Sequence, residues 1–146
     1  MNKLSEKKVK EILLIEDNPA DVRLMTEVLK DINIEKNITV LEDGEKVMDY
    51  LLKNGQFVNA KRPDIILLDL NIPKKDGFKI LEEIKTSNAL KTIPVIVIST
   101  SNSQENIRQA YMLHANCYFV KPFQLDEFIR IIRSIEEFWL NLVTLP

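Results

Sequence analysis

The chain has 146 residues, and its 20 basic and 22 acidic side chains leave a formal charge of -2; that length suits one domain with a real core, and that balance offers no general attraction for nucleic acid or a membrane surface. With 45% hydrophobic and 29% charged residues, 3 Gly and 6 Pro, neither a disordered chain nor a fibrous repeat is expected. A single Cys excludes an internal disulfide. The charged N-terminus, Met1 to Lys10, lacks the apolar core of a signal peptide, and no apolar run approaches the roughly 20 residues that span a bilayer, so a cytoplasmic protein is expected.

A polar arm over residues 1–8 precedes one domain over residues 9–146. The first apolar run, Glu11 to Ile15, reads as a strand and ends on two acids, Glu16 and Asp17. Asn18-Pro19 then supplies an N-cap and a first helical position for a helix from Pro19 to Lys30. A second strand, Ile38 to Leu41, leads through Asp43-Gly44 into a helix from Glu45 to Lys53. After a turn-like stretch from Asn54 to Pro63, the strand Asp64 to Leu68 ends on Asp69, and Asp76-Gly77 opens a helix running to Thr86. The strand Pro94 to Ile98 ends on Ser99 and Thr100, followed by a helix from Ser103 to Leu113. A last strand, Cys117 to Val120, ends on Lys121-Pro122, and a long helix from Leu125 to Leu140 begins an extension that reaches residue 146.

Five short strands alternating with five amphipathic helices predict an α/β fold, a doubly wound parallel sheet covered on both faces. The first, third and fourth strands are almost wholly apolar, as burial on both faces demands, and should form its centre. Glu16, Asp17, Asp69, Ser99, Thr100 and Lys121 then gather at the carboxyl ends of the strands, where open α/β sheets place ligands. Three acids there repel one another unless a hard cation lies between them, and Mg2+ prefers such oxygen ligands. Asp69 could serve as a nucleophile toward phosphorus, giving an acyl phosphate, with the Lys121 ammonium and a hydroxyl neutralising phosphoryl oxygens.

Four pieces carry a family likeness: Ile15-Glu16-Asp17-Asn18; Asp64-Ile65-Ile66-Leu67-Leu68-Asp69-Leu70-Asn71-Ile72-Pro73 with Asp76-Gly77; Ile98-Ser99-Thr100; and Tyr118-Phe119-Val120-Lys121-Pro122-Phe123. Each alone is weak, but four in order on the strand ends are specific. From about Val9 to Arg133 the chain resembles the receiver domains of two-component response regulators. The resemblance implies a flavodoxin-like sheet of strand order 2-1-3-4-5 and a signalling protein rather than a turnover enzyme. It implies that Asp69 takes a phosphoryl group from a sensor histidine kinase or a histidine phosphotransfer protein, with Asp17 binding Mg2+ directly, Glu16 acting mainly through water and Asn71 lending its backbone carbonyl. Ser99 falls at the hydroxyl position, Thr100 beside it, and Tyr118 at the aromatic switch position. Lys121 would be the phosphate-binding lysine, joined to Pro122 by a cis bond.

Departures from the common pattern narrow the likeness. His114 stands where Gly usually ends the fourth helix, which calls for a left-handed residue. With Glu137-Phe138-Trp139-Leu140 and the terminal Thr144-Leu145-Pro146, this resembles the stand-alone regulators related to phytochrome-associated response regulators. The last helix carries a stripe of Leu125, Phe128, Ile132, Ile135, Trp139 and Leu142, widened by Ile131 and Phe138, so homodimerisation through this helix and tail is expected alongside plain packing on the sheet.

Plainer readings exist for each residue. Glu16 and Asp17 could be helix N-terminal charge, Lys121 a solvated lysine, Tyr118 a packing residue, and Cys117 a buried, inert thiol. A phosphatase of the haloacid-dehalogenase type would need an acid at Asn71. The alternative is a phosphate-independent interaction module of the same fold, which would have no use for the acids, hydroxyl and lysine together.

Overall fold

Apolar runs without a polar face form the middle of the sheet. In the computed structural model, which describes residues 9–31 and 34–146, β1 (Lys10–Ile15), β2 (Lys36–Leu41), β3 (Ile65–Leu68), β4 (Val95–Ser99) and β5 (Cys117–Val120) pair in parallel in the order β2-β1-β3-β4-β5. The expected arm at residues 1–8 lies outside the described residues. Every residue of β3 and β4 is buried, whereas the edge strand β5 is only half-buried. Register aligns Ile15 with Leu68, Leu68 with Val97, and Ser99 with Val120, which brings the carboxyl ends of β1, β3, β4 and β5 to one rim.

Five helices cover the sheet: α1 (Pro19–Lys30), α2 (Glu45–Leu51), α3 (Gly77–Thr86), α4 (Gln104–Met112) and α5 (Leu125–Ile135). Alternation along the strands assigns them to faces. Leu13, Ile15, Ile66, Leu68, Val95 and Val97 meet α2, α3 and α4, while Ile12, Leu14, Ile65, Leu67, Ile96 and Ile98 meet α1 and α5. The fold is the expected doubly wound, flavodoxin-like α/β architecture. The order reverses between β1 and β3, and that switch point opens a crevice at the carboxyl rim.

The helix ends follow from local chemistry. Asn18 Oδ1 accepts from the Ala20 and Asp21 amides at 2.9 and 3.1 Å, with Pro19 as the first helical residue, a pairing that satisfies donors the helix leaves open. Asp76 caps α3 through Phe78 N–H at 3.0 Å, and Ser103 caps α4 through Asn106 N–H at 3.3 Å. His114 is left-handed, with φ 71°. Its N–H donates to the Tyr111 carbonyl at 2.9 Å and the Ala115 N–H to Ala110 at 3.0 Å, which is the double-bonded C-terminal motif that normally uses Gly.

The last helix changes character midway. After Ile135 the chain continues as a π-helical segment, Glu136–Leu142, instead of an α-helix to Leu140, and Val143 N–H donates to Phe138 five residues back at 2.9 Å. The wider turn shifts the apolar stripe. Phe128, Ile132, Ile135 and Leu140 are buried, with Leu140 five residues beyond Ile135, while Leu125, Phe138 and Leu142 are exposed. Glu136 starts this segment with its carboxylate 3.0 Å from Lys36 Nζ, both side chains buried. Burial, opposed by Lys36, raises the Glu136 pKa. Lys36 also donates to the Leu29 carbonyl, so one ammonium joins β2, the end of α1 and the π segment. Among the described residues no helix is long and apolar enough to cross a membrane.

Gly77 begins α3 against the backbone that leaves β3. Its N–H donates to the Leu70 carbonyl at 3.2 Å, and a Cβ there would meet Leu70 Cα and lie 2.6 Å from its carbonyl oxygen. Backbone cannot yield as a side-chain tip can. Gly77→Ala is therefore expected to cost about 1–3 kcal/mol through overpacking, read as a lower denaturation midpoint; an unchanged midpoint would show that the approach is not rigid.

Candidate functional site

The rim between β1 and β3 holds the acids. Glu16, one residue beyond β1, is buried at 1% exposure; Asp17 beside it is exposed, and Asp69, directly after β3, is buried at 7%. One carboxylate oxygen from each lies within 4.8 Å of the others. An all-oxygen set of this compactness fits a hard divalent cation better than a soft one. Asn71 is exposed, and its N–H donates to Asp69 Oδ1 at 2.9 Å, which fixes one carboxylate oxygen and sets the Asn71 peptide against the site.

Lys121 enters from the end of β5, where its backbone N–H donates to the Ser99 carbonyl at 2.7 Å. The side chain is 5% exposed, and Nζ donates to Glu16 Oε1 at 2.6 Å, Asp69 Oδ2 at 2.9 Å and Asp21 Oδ2 at 2.9 Å. An ammonium has three N–H donors, and all three are used. Burial works against the charged lysine, but the three carboxylates more than offset it and hold its pKa above the usual lysine range. The lysine stays charged.

Glu16 behaves oppositely. Burial, reinforced by the Asp69 carboxylate and opposed by Lys121, raises its pKa to about 7. One ammonium does not satisfy this many acids. A further cation would, which is the electrostatic observation in favour of a metal in this cluster.

The hydroxyl residues separate. Ser99, the last residue of β4, is fully buried and its Oγ accepts from Ser101 N–H at 3.2 Å, whereas Thr100 is exposed. Tyr118 packs against the α2–α4 core, and its hydroxyl donates to the Ser101 carbonyl at 2.8 Å. Tyr118 is thus bonded to the loop that follows Ser99. Burial pushes the Cys117 thiol up to about 11, with Trp139 opposing in part, so it is protonated at neutral pH.

One expectation needs correction. The resemblance implied a cis Lys121–Pro122 bond, but no peptide bond among the described residues is cis. The trans isomer is the lower in energy for X–Pro, and the long lysine stem reaches all three carboxylates from it. Sequence reasoning also missed Asp21, whose place on the first turn of α1 reads as ordinary helix-terminal charge. Its spacing from Glu16 and Asp17 was the only available signal.

An open parallel sheet with three acids and a buried lysine at its switch point defines a receiver-type signalling domain, and comparison with known proteins agrees. The response regulator receiver domain profile matches residues 12–133. The chain belongs to that family. It is 47% identical over 137 residues to the response regulator Rcp1 of Synechocystis sp., covering 94% of this chain and 93% of that protein. The crystal structure of Mn(2+)-bound Rcp1 superposes with a TM-score of 0.92, covering 94% of this chain and 99% of that one. The phosphorylated cyanobacterial phytochrome response regulator RcpA, also 47% identical, gives 0.93 over 95% and 99%. Receiver domains of this family bind Mg2+ or Mn2+ at the acidic pocket and work with a histidine kinase or phosphotransfer protein.

A carboxyl group with a raised pKa in the folded state holds a proton that the unfolded chain has lost, so its contribution favours folding at low pH and fades as pH rises. For Glu16 the window runs from its ordinary 4.5 to about 7. Without metal, unfolding free energy is expected to fall across that window. Divalent cation affinity, which needs the ionised form, is expected to tighten over the same range; calorimetric titration with Mg2+ at pH 6, 7 and 8 checks this, and a flat affinity would contradict it.

Proposed function

We propose that this receiver domain accepts a phosphoryl group on Asp69, in the presence of Mg2+, from a sensor histidine kinase of the phytochrome type or an associated phosphotransfer protein. The observation that carries the reading is the buried Asp69 carboxylate, with Oδ1 on the Asn71 amide and Oδ2 on Lys121, beside two further acids at the switch point. The 47% identity to a phosphorylated phytochrome response regulator supports the choice of kinase class.

In this mechanism Glu16, Asp17, Asp69 and the Asn71 carbonyl would hold the Mg2+. The bound ion supplies charge neutralisation for the phosphoryl oxygens and favours ionised acids. Asp69 forms a bond to phosphorus while the bond from phosphorus to the donor's imidazole nitrogen breaks. The electron pair leaves with that nitrogen, and a donor ring protonated on its other nitrogen departs neutral, so no general acid is required of this chain. That fits Asn at position 71. Lys121 exchanges its bond with Asp69 Oδ2 for one to a phosphoryl oxygen. Ser99 moves its hydroxyl toward the new charge, Thr100 lies at the pocket's rim, and Tyr118 follows the loop through the Ser101 carbonyl; a two-state element is biased by one added group.

The protein would act in the cytoplasm, pass its signal by protein contact or onward relay, and turn over no small substrate. The complete set of acids, hydroxyl and lysine weighs against a phosphate-independent module. Incubation with acetyl phosphate and Mg2+, followed by intact mass, is expected to give one alkali-labile adduct in the wild type and none in Asp69→Asn. A wild type that stays unmodified while folded would favour the interaction module instead.

Homodimerisation through the last helix forms part of the same proposal. Phe138 and Leu142, 52% and 67% exposed, line a shallow groove with Ile129, flanked by Asp126, Arg130, Arg133 and Glu137. An apolar patch ringed by both charge signs can meet its own copy about a two-fold axis. Phe138→Glu with Leu142→Glu should shift sedimentation from dimer to monomer at high concentration; a wild type monomeric both with and without phosphate would sink the idea.

A further inference from the structure

Asp21 has no place in the cation cluster. The carboxylates close enough to share a metal are Glu16, Asp17 and Asp69, yet Asp21 Oδ2 accepts from Lys121 Nζ at 2.9 Å, the same distance as Asp69. Its position would ordinarily explain it as a helix-capping group. Asp21 is the third helical residue after the N-cap Asn18, the position from which an acid reaches back to the N-cap amide. That amide is already taken, because Asn18 N–H donates to Glu16 Oε2 at 3.2 Å. The Asp21 side chain turns instead to the lysine.

Lys121 has one N–H for each of three carboxylates. Glu16 and Asp69 have a second claim on their oxygens, from the cation and, for Asp69, from phosphorus. Asp21 alone has none. It is also the most exposed of the three, at 24% against 2% for Glu16 and 9% for Asp69, and it sits on rigid helix rather than on a strand-end loop. We propose that Asp21 is a positioning residue for phosphoryl transfer: it pins the Lys121 ammonium from the α1 side, so that the N–H now on Asp69 stays aimed at the acceptor and can pass to a phosphoryl oxygen there. The inference rests on Asp69 being the acceptor.

The alternative is that Asp21 merely supplies favourable charge at the start of α1. Three proteins separate the two: wild type, Asp21→Asn, which keeps an acceptor without the charge, and Asp21→Ala, which keeps neither. Phosphorylation by acetyl phosphate at saturating Mg2+ is expected to slow about tenfold in Asp21→Ala and less in Asp21→Asn, with Mg2+ affinity changed under threefold. In the metal-free proteins, the protected Lys121 ammonium signal in 1H–15N spectra is expected in the wild type and lost in Asp21→Ala. Helix-terminal charge alone would lower the melting temperature and leave that signal in place. An Asp21→Ala rate within twofold of the wild type or above it, or an unchanged ammonium signal, overturns the proposal. A wild type that takes no phosphate overturns the acceptor reading and this inference with it, whereas a phosphorylated wild type matched by Asp21→Ala overturns this inference alone.

Discussion

Four charged groups on four elements converge where the sheet changes direction, and a single buried ammonium keeps that convergence from flying apart. Glu16 follows β1, Asp69 follows β3, Asp21 rides on α1 and Lys121 follows β5, and the ion pairs between them span up to 105 residues of sequence. Removing one partner from a buried charge network leaves the others uncompensated, which is costly. Their neutralisation is nevertheless incomplete, one ammonium facing three carboxylates, and burial adds to the cost of charge at Glu16, whose pKa is raised. Incomplete neutralisation suits a binding site: a cation finds a cluster that gains from its arrival, and the lysine is already poised over the acceptor.

The scaffold makes this tension tolerable. β1, β3 and β4 are sealed on both faces by two apolar layers, so the strand ends cannot drift to relieve repulsion. Close packing there transmits small displacements instead of absorbing them. On the outer side the sheet softens: β5 is half-buried, and Tyr118 reaches from it to the loop after Ser99. Rigid centre and softer edge thus divide the work between holding charge and responding to it.

Much of this was legible in the chain. The helices Pro19–Lys30 and Gly77–Thr86 begin and end where capping residues and periodicity place them, and β5 matches its apolar run. His114 adopts the left-handed geometry that its place after α4 requires. The convergence of Glu16, Asp17, Asp69 and Lys121 followed from strand ends alone. What stayed hidden depends on rotation and reach. Asp21 looks like helix-terminal charge until the lysine's direction is known. The shift into a π turn after Ile135 is invisible to a 3.6-residue template, which left Leu140 out of the apolar stripe although it is buried, while Trp139 packs partly against the core and Leu142 faces out.

That π turn has an implication for how the chain could vary without losing its fold. A turn closed over five residues carries one residue more than helical spacing demands. The surplus residue lets Leu140 stay in the core while Phe138 and Leu142 face outward. A natural sequence shorter by one residue between Ile135 and Leu140 could therefore keep the same buried leucine four positions on, on an unbroken α-helix, and present a different outer surface. Length at this point of the chain tunes what the domain shows to others independently of what it encloses, and the Lys36–Glu136 pair marks where that freedom begins.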